Sequence, residues 1–182
     1  MHRTVIFLML CAAPVAAQTP GKVIETLADV PWQLRQPNWD SSRDSRGSCV
    51  NASTITILNF LGLYEHATWW RQNFEGGEIT TSHIQHMQDS GLKFAYSSDG
   101  SEELLEWCSR NRIPAGIFFG QAHAQNFLGY IEGGKKAIVL DNNTSQTYIV
   151  YDREAFLLEW RARGSFCWTF IRMPPPPWPS QY

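Results

Sequence analysis

The chain has 182 residues, a length that fits one domain. With 43% hydrophobic and 18% charged residues it is suited to a globular core rather than to a disordered chain. A net charge of -2 argues against nucleic acid or an anionic membrane as the partner.

The chain opens on an export signal. His2 and Arg3 form a short basic start, and residues 5–13 are apolar but too short to span a bilayer. Val15-Ala16-Ala17 supplies small residues before a cut near Ala17. Residues 1–17 are thus expected to leave as a signal peptide, giving a secreted or periplasmic protein with no membrane association. A lipid anchor on Cys11 is disfavoured by the bulky Leu10 before it. Loss of Cys11 leaves Cys49, Cys108 and Cys167, an odd count. Either Cys108 and Cys167 form a disulfide with Cys49 free, or both are small buried apolar residues.

Residues 18–29 carry few signals, and Pro31-Trp32 and Pro37-Asn38-Trp39 are turn-rich. The polar run 40–48 reads as an exposed loop that delivers the chain to Cys49. Over 50–63, Val50, Ile57, Leu58 and Leu61 share a helical face, and Ile55 and Phe60 widen it. That pattern predicts a helix buried on more than one side. Further helices are expected over 65–74 and 82–89, closed by Gly76-Gly77 and by Gly91. A short strand over 93–96 follows. Asp99 with Glu102 then resembles a capping box for a helix over 101–110.

From Pro114 the pattern changes to strands, at 115–119, 123–131, 137–140 and 148–151, with a hairpin turn at Gly133-Gly134. Asp152 is placed to cap a helix over 153–161, and 166–171 is a last strand. The proline-rich stretch 174–182 reads as an extended, disordered tail. No linker divides residues 18–173. The fold class is α+β: a helical first half carries the Cys helix and packs on an antiparallel sheet from the second half.

Gly47-Ser48-Cys49 puts a thiol at a helix N-terminus, where unpaired N–H groups and the helix dipole favour negative charge. The thiolate is the nucleophilic form of cysteine. Using it requires a base in reach of the sulfur and a group that fixes the base. Of the five His, His2 falls in the signal, and His66, His83 and His86 sit on predicted surface helices. His123 opens a strand at a loop boundary. The hairpin brings Asp141, Asn142 and Asn143 back to its level, and an Asp or Asn oxygen there accepts the far ring N–H. His83 and His86 share a helix face near Glu78, but without a clear third ligand no metal site is assigned. No cofactor is expected.

These residues resemble a family. Gly47-Ser48-Cys49 with Asn51-Ala52-Ser53 is similar to the papain motif Gly-Ser-Cys-Trp-Ala-Phe-Ser, with Val50 in place of the Trp. His123-Ala124 followed by Gly129-Tyr130 resembles the papain His-Ala segment, and Ile138 to Asn142 resembles the strand that ends in the catalytic Asn. The resemblance implies a papain-like domain over 18–173, similar in size to the compact bacterial peptidases that process bacteriocin leaders. It implies Cys49 as nucleophile, His123 as base and Asn142 as orienter, with Asp141 as the alternative. The implied activity is that of an exported cysteine hydrolase, most simply a peptidase acting on a peptide or protein. The family's oxyanion Gln, six residues before the Cys, is Arg43 here. Arg43, Gln36 and Asn38 are therefore the candidates for that donor, beside the Cys49 backbone N–H. The departure keeps two alternatives open: a catalytically impaired protein that binds a peptide in the cleft, or a thiol acyltransferase or cell-wall amidase.

Overall fold

A computed structural model describes residues 27–42 and 46–172. The expected signal peptide, the proline-rich tail and Arg43 lie outside the described residues. The elements run α1 (Cys49–Phe60), α2 (Tyr64–Asn73), α3 (Thr80–Asp89), β1 (Phe94–Ser97), α4 (Glu103–Asn111), β2 (Ala115–Phe118), β3 (Ala124–Ile131), β4 (Lys136–Leu140), β5 (Tyr148–Asp152), α5 (Arg153–Ala162) and β6 (Cys167–Phe170). Every helix and strand expected from the pattern is present, with ends shifted by a few residues. This is an α+β fold. No helix among the described residues is long and apolar enough to cross a membrane.

The strands form one antiparallel sheet in the order β1-β6-β2-β3-β4-β5. Helix α1 lies on one face, where Val50, Ile57 and Leu58 meet Ala124 and Trp168. Helices α4 and α5 cover the other, through Leu105, Phe156 and Trp160 against Ile117, Phe127 and Val139. The sheet is thus covered on both faces, because its strands carry apolar residues on both. A bulge at Leu128 shifts the β3–β4 register between Phe127 and Gly129. The shift lets Phe127 and Tyr130, three apart, face the same core.

Helix α1 is buried from Cys49 through Leu58. Its polar side chains are satisfied by the walls around it. Asn51 accepts the Trp70 indole N–H at 2.9 Å, and Thr54 accepts that of Trp168 at 3.1 Å. Thr56 accepts the Gln36 backbone N–H at 2.9 Å. These bonds fix both the rotation and the height of the helix that carries the thiol.

Three local expectations are corrected. Asp99 and Glu102 do not form a capping box: Asp99 accepts the Ser101 N–H, and Glu102 is drawn to Arg153 and Tyr130. Asp152 sits at the start of α5 but makes no side-chain cap, because it pairs with Lys136 at 2.7 Å. His83 is not on a surface. It is fully buried, with its ring edge-on to Trp168 and Trp70. Of the two readings of Cys108 and Cys167, the second holds: both are free buried thiols. Burial pushes Cys108 up to about 12, with Cys167 beside it adding to the rise, and burial pushes Cys167 to about 12 as well.

Candidate active site

The approach to Cys49 is built by close backbone contacts. Gly47 bridges back to Asp40, and a Cβ on Gly47 would lie 2.9 Å from the Asn38 side-chain nitrogen. Only glycine lets Asn38 sit that near the loop before Cys49. Ser48 precedes the helix but does not cap it. Its hydroxyl instead accepts the Gly76 N–H at 2.8 Å, which docks the loop before α3 against the site. The first amides of α1 thus have neither an intrahelical acceptor nor a side-chain cap.

His123 is held by a tight turn from β2 into β3. The Phe119 N–H bonds the His123 carbonyl at 3.0 Å, with Gly120 and Ala122 both at positive φ. For Ala122 that conformation costs about 1 kcal/mol, a local strain in the turn that sets His123. Nε2 of the His123 ring lies 2.8 Å from the Asp141 carboxylate, and the Cys49 side chain is near enough to the ring to favour its protonated form. Burial alone would lower the His123 pKa. The hydrogen bonds and charges of Asp141 and Cys49 outweigh it and raise the pKa from 6.5 to about 9. Burial acts to raise Asp141, yet its bonds from His123 and from the Asn143 N–H hold it below the ordinary carboxylate value. At neutral pH the site is therefore an imidazolium between a carboxylate and a sulfur.

Asn142 does not meet His123. Both residues follow β4: Asp141 opens a turn in which its carbonyl accepts the Thr144 N–H at 3.1 Å, Asn142 is the first residue inside that turn, and the two side chains take different partners. Asp141 turns to the imidazole, and Asn142 turns inward to donate to the Cys49 carbonyl at 2.9 Å, Ser53 Oγ at 3.0 Å and the Ala124 carbonyl at 2.9 Å. Of the three oxyanion candidates, Arg43 lies outside the described residues. The Gln36 amide is exposed and bonds the Pro37 carbonyl at 3.0 Å, away from the site. Asn38 lines the cleft with Cys49 and His123. Its side-chain nitrogen donates to Asn143 Oδ1 at 2.8 Å, which leaves the second N–H of a primary amide.

The cleft over these groups has a volume of about 730 Å³. Beyond the residues expected from sequence it is lined by Glu78, Ile79, Phe118 and Arg163. Sequence offered one pointer to them, the Gly76-Gly77 pair that lets the 75–79 loop fold against Ser48. Among the described residues no group of three or more metal-ligating side chains is present.

No family model matches the chain, and no curated protein matches it in sequence. Among solved structures, its fold is similar to that of a double glycine motif protease from an AMS/PCAT transporter, crystallised in complex with the leader peptide. The TM-score is 0.53 at 17% identity, over 76% of this chain and 94% of that one. The chain has a papain-like fold. At that identity the likeness concerns the fold; the chemistry of the cleft rests on its own residues.

Proposed function

We propose that this chain is an exported papain-like cysteine peptidase with a Cys49-His123-Asp141 triad. The observation that carries the reading is the His123 ring, bonded to Asp141 at 2.8 Å and sharing an open cleft with Cys49, which is near enough to act on the ring's charge. The Cys49 sulfur attacks a substrate carbonyl carbon, with its proton carried by His123. The oxyanion is met by the Cys49 backbone N–H and the free N–H of Asn38. His123 passes its proton to the leaving amine, which departs and leaves a thioester. Water then attacks with His123 as base, releasing the acid and restoring the thiol. Export rests on the N-terminal signal.

The test is hydrolysis of a diverse peptide library, read by mass spectrometry. New amine and acid termini from the wild type, lost in Cys49→Ala, support the reading. A wild type that cuts nothing while retaining tight peptide binding favours the catalytically impaired alternative. Product captured by an added amine in place of water favours acyl transfer.

A further inference from the structure

We propose that Asn142 is a positioning residue that sets the distance between the nucleophile and its base, a role that rests on the reading of Cys49 and His123 as the reactive pair. The thiol and the imidazole belong to separate elements, α1 and the turn into β3. Further along the two elements Asn126 of β3 donates to the Ser53 carbonyl of α1 at 3.0 Å, and at the level of the thiol and the imidazole themselves the bridge is Asn142. Asn142 bonds both: the carbonyl of Cys49 itself, and the carbonyl of Ala124, the residue after His123. A third contact, to Ser53 Oγ, ties it to the next turn of the same helix. Its own carbonyl accepts the Asn38 N–H at 2.9 Å, which brings the oxyanion candidate into the same frame.

The chemistry of the amide sets its direction. Of the three oxygen atoms facing Nδ2 two are backbone carbonyls, which can only accept, so a flipped amide would place its oxygen against both of them. The orientation leaves Oδ1 buried and without a partner among the described residues. An unsatisfied buried acceptor is a cost that simple stability would select against. It is explained if the site needs a donor at Nδ2 more than it needs a satisfied oxygen. The adjacent Asp141 reaches the far ring nitrogen, so two consecutive residues hold the triad: one aligns the imidazole, the other spaces it from the sulfur.

The experiment is the rate of iodoacetamide alkylation of Cys49 against pH in the full chain, located by mass spectrometry, with thermal melting to confirm folding. Cys49 lines the cleft while Cys108 and Cys167 lie in the core, and locating the label separates it from them and from Cys11. In Asn142→Ala the alkylation rate near pH 6 is expected to fall on the order of 10- to 100-fold, and its pH profile to move toward that of a plain thiol. Asn142→Ser, too short to bridge all three oxygens, is the second variant should Asn142→Ala not fold, and the same loss is expected. Ser53→Ala, which removes one acceptor of the three, is expected to cost less. A folded Asn142 variant that labels at the wild-type rate with the wild-type profile overturns the proposal while leaving the peptidase reading intact. A wild type that labels no faster than glutathione removes the reading of Cys49 and His123 itself, and the proposal with it.

Discussion

Asp141 Oδ1 lies 2.8 Å from His123 Nε2, and this contact is the largest influence holding the imidazole protonated. A charge-assisted bond of this length is worth more than a neutral one. Removing the charge while keeping the shape is therefore the informative change. Asp141→Asn is expected to lower kcat/KM on the order of 10²-fold or more, since a neutral amide supports the imidazolium poorly. It also lowers the His123 pKa, so the alkaline limb of the activity profile, expected near pH 9 in the wild type, moves toward neutrality. Because folding raises this His from 6.5 to about 9, the stability it lends is complete below about pH 6.5 and is lost as the pH climbs through 9. A pH–rate profile of both proteins checks the direction.

The oxyanion candidates separate by position. Asn38→Ala is expected to reduce kcat on the order of 10²- to 10³-fold with little change in KM, because a donor to the oxyanion acts in the transition state. Gln36→Ala, whose amide is exposed and bonded to Pro37, is expected to stay within about 2-fold. Gly47→Ala offers an independent check. Its new Cβ would meet the Asn38 amide at 2.9 Å and displace a side-chain end rather than backbone. Activity should fall while the melting temperature barely moves. Equal losses in Gln36→Ala and Asn38→Ala would remove the assignment.

The sheet carries its own tight contact. Gly116 lies under the Trp168 indole, and a Cβ there would fall 2.2 Å from two ring atoms. That ring is fixed by its bond to Thr54 and by packing on Phe118, Phe166 and His83, so it has little room to shift. Gly116→Ala is expected to destabilise the fold by about 3 kcal/mol, the upper range for overpacking. Urea denaturation measures it. A loss below about 1 kcal/mol would mean that Trp168 moves freely.

How much of this was legible in the sequence follows from the physics of each element. The apolar spacing of Val50, Ile57, Leu58 and Leu61 named the central helix, because a buried helix must repeat its core contacts every 3.6 residues. The glycine punctuation at 91 and 133–134 placed the breaks, since those positions require positive φ. His123 and its loop boundary were equally readable. The choice between Asp141 and Asn142 was not, because it turns on which of two consecutive side chains faces the imidazole. Both lie in the turn that follows β4, and three consecutive polar residues carry no apolar alternation to say which of them faces inward. The exposure of α3 was misjudged for the same reason: His83 is polar by type and core by position, and a pattern of residue types cannot separate the two. The 75–79 wall of the cleft depends on a contact to Ser48 from 28 residues away, which no local pattern encodes.

His83 makes the last prediction. It is fully buried, Nε2 is 3.4 Å from Thr54 Oγ1, and Nδ1 has no partner among the described residues. Burial is the main cause of its lowered pKa, about 3, and His86 one turn away adds repulsion. Folding thus depresses the pKa of this base from 6.5. Above pH 6.5 both folded and unfolded forms are neutral and the group has no effect on pH dependence. Below it the unfolded chain takes up a proton that the folded chain refuses, so stability falls by up to about 1.4 kcal/mol per pH unit until the pH reaches about 3. Melting temperature should decline steadily from pH 6.5 to pH 4. In His83→Gln, which keeps a polar group beside Thr54 but does not titrate, that decline should flatten. An unchanged slope in the variant would place the acid sensitivity elsewhere, in the carboxylates whose pKa values folding lowers, with Asp141 first among them.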